Sequence, residues 1–213
     1  MSEFTVHSIP GSPFGRSVLA TLEEKGASYR LAAVASGTLQ SAEHLARHPF
    51  GRVPVIEHDG FMLYETQAIL RYLDAVLPEP RMRPAEPRDA ARVDQLMNIV
   101  DWYLFQQVLA KIVFQRVLVP MRGGTPDEAV IAAAMPDARL CIATLVNMLG
   151  TKNWFVGDAP TLADMMLGPA LATLAGTPEG AELMAGTTLV SYLDRMNARA
   201  SMQHTTREYL LAA

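Results

Sequence analysis

The chain has 213 residues, half of them apolar, and its 18 Lys and Arg against 22 Asp and Glu leave a formal net charge of −4. That length gives room for one large or two small domains and for a proper core. The apolar content and near-balanced charge exclude a disordered chain and a basic nucleic-acid surface, so small molecules are the expected partners.

Cys141 is the single cysteine. It can close no intramolecular disulfide and complete neither a CxxC redox pair nor a zinc site, which points to a reducing compartment. The start, Met1-Ser2-Glu3-Phe4-Thr5-Val6, has no basic stretch followed by a long apolar one, and no uninterrupted apolar run reaches the length of a membrane span. A soluble, cytoplasmic protein without a membrane or nucleic-acid partner is expected.

From Glu3 to Ser8 a β-branched and apolar run stops at Ile9-Pro10-Gly11, a strand entering a loop. Ser12-Pro13 then supplies an N-cap and a first-turn proline, Val18, Leu19 and Leu22 an apolar stripe, and Gly26 a stop, so a helix follows at once. Tyr29 to Val34 reads as a second strand and Ser41 to Arg47 as a short helix before His48-Pro49-Phe50-Gly51. Val53 to Glu57 and Phe61 to Tyr64 flank His58-Asp59-Gly60, a hairpin signal. A helix from Thr66 to Val76, with Ile69, Leu70, Tyr72 and Leu73 at helical spacing, closes a β-α-β-α-β-β-α unit by about residue 77.

Pro78, Pro80, Pro84 and Pro87 then forbid a continuous helix and mark residues 78–87 as a linker. Beyond it the pattern turns all-helical. Arg88 to Val119 carries Val93, Leu96, Met97, Val100 and Leu104, and Pro126 to Leu149 carries Ile131, Leu140 and Leu145. Further helices are expected over 161–174, 187–198 and 200–210. Thr161 and Asp164 form a capping-box pattern ahead of Met165-Met166-Leu167, so Thr161→Ala should cost about 1 kcal/mol or somewhat more. The expected fold is α/β followed by all-α.

Three separated strings carry a resemblance. They are Ser12-Pro13-Phe14-Gly15-Arg16-Ser17-Val18, then Pro49-Phe50-Gly51-Arg52-Val53-Pro54 running on to Glu65-Thr66, and Gly157-Asp158-Ala159-Pro160-Thr161-Leu162-Ala163-Asp164. In this order and spacing the chain resembles the cytosolic glutathione S-transferase superfamily over nearly its whole length, in its serine-type, bacterial-like form. The resemblance implies a thioredoxin-like glutathione-binding domain over 1–77 and a helical-bundle domain with the second-substrate pocket over 88–213. It also implies glutathione as co-substrate, a small hydrophobic electrophile as second substrate, a detoxification role, a homodimer and no metal.

The family's chemistry requires a thiolate, so a thiol with an ordinary pKa of about 8.5 must be acidified. Lowering it by about 2 units requires roughly 2.7 kcal/mol of preference for the anion. One hydrogen bond to a charged group supplies roughly 1.5 to 3 kcal/mol, and a helix N-terminus up to about 2. Ser12 resembles the catalytic serine, although Ser before Pro is also an ordinary N-cap. Ser17, one turn on, is the second candidate.

Val53-Pro54 resembles the family's cis-proline site, where the Val53 backbone would pair with the cysteinyl part of glutathione as an added strand does. Glu65-Thr66 resembles the acidic-hydroxyl pair at a helix start that receives the γ-glutamyl group, with Thr66 in place of the commoner serine. For the glycyl end, Gly37-Thr38-Leu39-Gln40-Ser41 carries no cation where relatives often have one, and Arg52 stands where many have glutamine. Arg52 could hold that carboxylate or be a solvated loop charge. Leu39-Gln40 and Arg52 also motivate the alternative of a non-catalytic binding or regulatory protein on the same fold.

Phe14, Trp102, Tyr103, Phe105 and Gln106 are the second-substrate pocket residues the resemblance suggests, although aromatic residues at helical spacing more often serve the core. Phe50 matches an intersubunit key in some relatives, with burial in its own loop as the alternative. His7, His44, His48, His58 and His204 show no metal-ligand spacing, and Cys141 reads as a small buried hydrophobe.

Overall fold

A computed structural model describes residues 3–212. Met1, Ser2 and Ala213, which the sequence division includes at its two ends, lie outside the described residues. Contacts divide the chain into two compact units, one running to Pro84 and taking in the segment from Asn197 onward, the other spanning Ala85–Met196.

In the first unit β1 (Phe4–Ser8), α1 (Pro13–Glu24), β2 (Tyr29–Ala33), α2 (Ala42–Arg47), β3 (Val55–His58), β4 (Phe61–Tyr64) and α3 (Thr66–Val76) follow in the expected order. This is a thioredoxin-like domain. The sheet has strand order β2-β1-β3-β4, with β1 parallel to β2 and antiparallel to β3, and β3 antiparallel to β4. β1 is flanked on both edges, and Phe4, Val6, His7 and Ser8 are all buried, as befits a central strand covered on both faces. The hairpin register pairs His58 with Phe61 across Asp59 and Gly60, whose φ values of 51° and 75° suit the primed turn that matches strand twist.

Ser12 caps α1, and Gly26 (φ 61°) ends it in a Schellman motif: Gly26 N donates to Glu23 O at 3.0 Å and Ala27 N to Leu22 O at 3.0 Å. Val18, Leu19 and Leu22 of α1 and Ile69, Leu70 and Leu73 of α3 are fully buried and join Val55 and Ile56 in the core. The segment expected as one helix over 200–210 is two short ones, α10 (Ala200–Gln203) and α11 (Arg207–Ala212), separated by the turn at residues 204–206. α10 packs on α1. The C-terminal segment therefore belongs with the first unit, whereas the sequence division runs the helical domain to its end.

In the second unit helical backbone runs without a break through α4 (Pro87–Ile99), a π-helical stretch at Val100–Leu118 and α5 (Val119–Met121). The sequence leads one to expect a single helix from Arg88. The start falls one residue earlier because Glu86 caps Asp89 N at 2.9 Å and Pro87, which lacks an N–H, is suited to the first turn. α6 (Glu128–Leu149) buries a single stripe, Ile131, Ala134, Ala138, Cys141, Ile142, Leu145 and Leu149, and leaves its internal Pro136 exposed. By length and composition alone this helix could cross a membrane, but its apolar stripe faces the core of the unit. Burial pushes the Cys141 thiol up to about 11, so it is inert at neutral pH.

α7 (Leu162–Ala175) begins at the capping box. Thr161 donates both its N–H (2.7 Å) and its hydroxyl (2.8 Å) to Asp164 Oδ2, and Tyr192 OH donates to Oδ1 at 3.2 Å. Burial pushes the Asp164 carboxyl up, and these bonds pull it back. α8 (Pro178–Met184) has no counterpart in the sequence reading, although Thr177-Pro178-Glu179 is a cap, a first-turn proline and an acid in the order a helix start requires. Arg116 ties its Glu179 (2.9 Å) to Glu128 (2.8 Å) at the head of α6. α9 (Thr188–Asn197) buries Leu189, Tyr192, Leu193 and Met196.

Candidate active site

The first unit brings the loop before α1, the segment before β3 and the head of α3 together as the ends of neighbouring elements on one sheet. Each candidate residue has a distinct local cause for its position.

Ser12 is half-buried at the N-cap of α1, where its Oγ accepts from Gly15 N at 3.4 Å. That bond is long, and the hydroxyl proton of Ser12 has no acceptor among the described residues. Ser17 is different. It is buried, and its Oγ donates to Pro13 O at 3.0 Å, so its proton is committed to its own helix. Of these two serines in the first string, Ser12 is the one with a donor to offer.

Val53-Pro54 is a cis peptide bond, as the sequence leads one to expect, and Glu79-Pro80 is a second one that it does not. Pro54 is buried and Val53 half-buried. Val53 N–H has no partner among the described residues. Arg52 is exposed, and its guanidinium has no ion-pair partner among the described residues. Its carbonyl accepts from His44 Nε2 at 2.8 Å.

Glu65 is exposed, with φ 70° and ψ 111°, a backbone uncommon for a residue with a Cβ. Directly after it Thr66 opens α3, so that the N-terminal turn of the helix and the Thr66 hydroxyl follow a carboxylate. Strained non-glycine backbone of this kind persists where the surroundings enforce it, frequently at ligand sites.

The Leu39-Gln40 segment packs against the turn that precedes Arg52. Gly51 (φ 60°) lies so close to Gln40 that a Cβ there would strike the Gln40 amide nitrogen and come within 2.9 Å of Leu39 O. Leu39-Gln40 thus packs against the Gly51-Arg52 turn without contributing a cation. Behind it, His48 is buried with its ring against Tyr64 (centroids 4.7 Å), and Phe50 is 68 % exposed.

Phe14 is half-buried in α1. Trp102, Tyr103, Phe105 and Gln106 fall in the π-helical stretch of the second unit, where Trp102 and Tyr103 are 67 % and 60 % exposed, Gln106 is exposed and Phe105 half-buried. Two aromatic rings this exposed serve no core. That unit also holds an open cavity of 430 Å³ lined by Arg92, Thr144, Asn147, Met148, Lys152 and Phe155, none of them foreseen from sequence. Among the described residues no group of three or more His, Cys, Asp or Glu could hold a metal ion.

Two further features escaped the sequence reading. His44 carries no periodic or motif signal, and its bond to the Arg52 carbonyl appears only in three dimensions. Arg16, in the middle of the first string, donates to Met202 O at 3.0 Å and so ties α1 to the C-terminal segment.

Residues 2–75 match the family model for the glutathione S-transferase N-terminal domain and residues 128–198 that for its C-terminal domain. Among curated proteins, glutathione S-transferase 4 of Zea mays is 30% identical over 156 residues, 72% of this chain and 70% of the relative. Glutathione S-transferase 1 of Zea mays is 28% identical over 184 residues, 85% and 86% of the two chains. Among solved structures, glutathione S-transferase I from mais in complex with an atrazine glutathione conjugate superposes with a TM-score of 0.84 at 25% identity, over 99% of both chains. These are plant proteins and lend no support to a bacterial-like character. With both family domains matched in order and a relative of 30% identity aligned over most of its length, the chain belongs to the glutathione S-transferase superfamily.

Proposed function

We propose that this protein is a glutathione transferase in which Ser12 donates its hydroxyl hydrogen bond to the glutathione thiolate, and that the thiolate attacks a small hydrophobic electrophile. The observation that carries this reading is the contrast between the two serines: among the described residues the Ser12 proton has no acceptor, and that of Ser17 belongs to Pro13 O. A hydroxyl donor and the head of a twelve-residue helix together can lower a thiol pKa by about 2 units.

In this reading Val53 and Pro54 present backbone to the cysteinyl group, Thr66 and the first turn of α3 receive the γ-glutamyl carboxylate, and Glu65 answers its ammonium. Arg52 is the one cation of its loop and faces the glycyl carboxylate. Trp102, Tyr103, Phe105 and Gln106 of the second unit supply the surface for the second substrate. The protein works as a homodimer in the cytoplasm, and a concentration-independent monomer by size-exclusion with light scattering would remove the dimer.

The test is conjugation of glutathione to a general chromogenic electrophile at saturating glutathione. Activity in the parent, a loss of at least tenfold in Ser12→Ala and no such loss in Ser17→Ala are expected. A second reading, a non-catalytic binding protein on this fold, is favoured by the absence of a cation in Gly37–Ser41. It requires an inactive parent whose melting temperature does not move with millimolar glutathione, since a ligand that binds only the native state must raise stability.

A further inference from the structure

α2 is a surface helix in which Ala42, Glu43 and Ala46 are exposed, yet His44 is only 2 % accessible. Its ring is turned to the segment before β3, where Nε2 lies 2.8 Å from the carbonyl oxygen of Arg52. A carbonyl oxygen can only accept, so Nε2 carries the proton and the imidazole is the donor.

The peptide between Arg52 and Val53 is trans, since the cis bonds lie at Val53-Pro54 and Glu79-Pro80. In a planar trans peptide the C=O and the N–H point in opposite directions. Anchoring the Arg52 carbonyl to α2 therefore aims the Val53 N–H away from α2, and that N–H has no partner among the described residues. A hydrogen bond accepted by the carbonyl also polarises the peptide and makes its N–H a stronger donor.

We propose that His44 is a positioning residue for glutathione: by holding the Arg52 carbonyl it sets the direction of the Val53 N–H that receives the cysteinyl backbone of the tripeptide. The inference rests on the glutathione reading of this site. It gives His44 no contact with the ligand and no part in the chemistry of the thiol. Because the Val53 bond is made equally in the ground state and the transition state, its loss should raise KM for glutathione and leave kcat unchanged.

The experiment measures glutathione binding by calorimetry for the parent, His44→Phe, His44→Leu and His44→Gln, with KM and kcat alongside and the melting temperature of each ligand-free protein. His44→Phe keeps a buried ring without the N–H, His44→Leu is a smaller alternative should the phenyl ring prevent folding, and His44→Gln restores an N–H donor. The expected result is a dissociation constant raised about tenfold in the Phe or Leu variant, as for one lost hydrogen bond. His44→Gln should return most of that loss, and the Val53 amide resonance of the ligand-free protein should move in His44→Phe and return in His44→Gln. A folded Phe or Leu variant that binds like a glutathione-binding parent overturns the role of His44 alone. So does a Gln variant as weak as the apolar ones at an equal melting temperature. A parent that does not bind glutathione overturns the site reading and this inference with it.

Discussion

Lys25 Nζ lies 2.7 Å from Asp74 Oδ1, an ion pair joining the end of α1 to α3 with side chains only 1 % and 8 % accessible. The same carboxylate accepts Met82 N at 2.8 Å and Arg83 N at 3.0 Å, and Lys25 donates also to Pro78 O at 3.2 Å. The first part of the proline-rich segment is therefore fastened to the first unit and is no free tether. Breaking a buried pair by removing one partner typically costs about 3 to 5 kcal/mol, because the other charge stays buried. Asp74→Ala should lose that much, and the denaturant midpoint of the variant against the parent measures it. A loss under about 1 kcal/mol would mean that water replaces the carboxylate.

The C-terminal segment is fastened in a similar way. Arg199 donates Nε and Nη2 to Glu24 at 2.6 and 2.7 Å, and Ser201 Oγ donates to the same carboxylate. Burial pushes the Glu24 carboxyl up, but the bonds from Arg199 and Ser201 outweigh it and hold it below its ordinary 4.5. A carboxylate with a lowered folded pKa contributes stability that is present above 4.5 and is lost as pH falls through the folded value. Arg199→Ala should destabilise by about 1 to 3 kcal/mol at neutral pH, as expected for hydrogen bonds to a charged group. Urea titrations at stepped pH should then show a flatter acid limb in the variant.

His48 gives a second pH window. Its ring is buried against Tyr64, Nδ1 has no partner among the described residues, and burial lowers its pKa from 6.5 more than Glu65 raises it. The unfolded chain then binds more protons than the folded one below 6.5, so stability rises with pH across that range and is lost as pH falls from 6.5 toward the folded value. His7 is lowered in the same sense, chiefly by burial, with Arg47 adding to it. His48→Phe should flatten the stability profile just below 6.5 and leave the Glu24 limb near 4.5 in place. An unchanged slope in that variant would assign the effect to His7.

What the sequence made legible follows from local physics. Ser12-Pro13, Asp59-Gly60 and Thr161 with Asp164 specify their own turns and caps within three or four residues, so the β-α-β-α-β-β-α order could be read almost residue by residue. The positions of Ser12, Val53 and Glu65-Thr66 followed from strings carried by such elements. The bond from His44 to Arg52 and the attachment of Arg199 to Glu24 were not legible, because both depend on partners brought together by the sheet and by a chain reversal that no periodicity encodes. α8 is not legible from periodicity because seven residues span too few turns, although Thr177-Pro178-Glu179 carries a helix-start signal. The π-helical winding from Val100 has no signal in the apolar pattern, which serves an α-helix as well.

Gly15 links the core of the first unit to Ser12. A Cβ at this position would collide with Ser8 Oγ and stand 3.0 Å from Ser8 Cβ, so the head of α1 can approach the end of β1 only because residue 15 has no side chain. The same residue's N–H donates to Ser12 Oγ. Gly15→Ala must push the helix head outward and carry Ser12 with it, and overpacking of this kind typically costs about 1 to 3 kcal/mol. Ser8 itself is fully buried, and its hydroxyl has no hydrogen-bond partner among the described residues. Ser8→Ala alone should therefore be neutral or stabilising by up to about 1 kcal/mol, since it removes an unpaired polar group. In the double variant the alanine at 15 meets a methyl group instead of a hydroxyl oxygen, so the two changes should couple by at least about 0.5 kcal/mol in favour of the pair. A double-mutant cycle by chemical denaturation, with conjugation rates measured on the same four proteins, checks both halves. Stability and rate should fall together in Gly15→Ala and recover together in the double variant. Recovery of stability without rate would place the Ser12 hydroxyl outside the control of the Ser8–Gly15 contact.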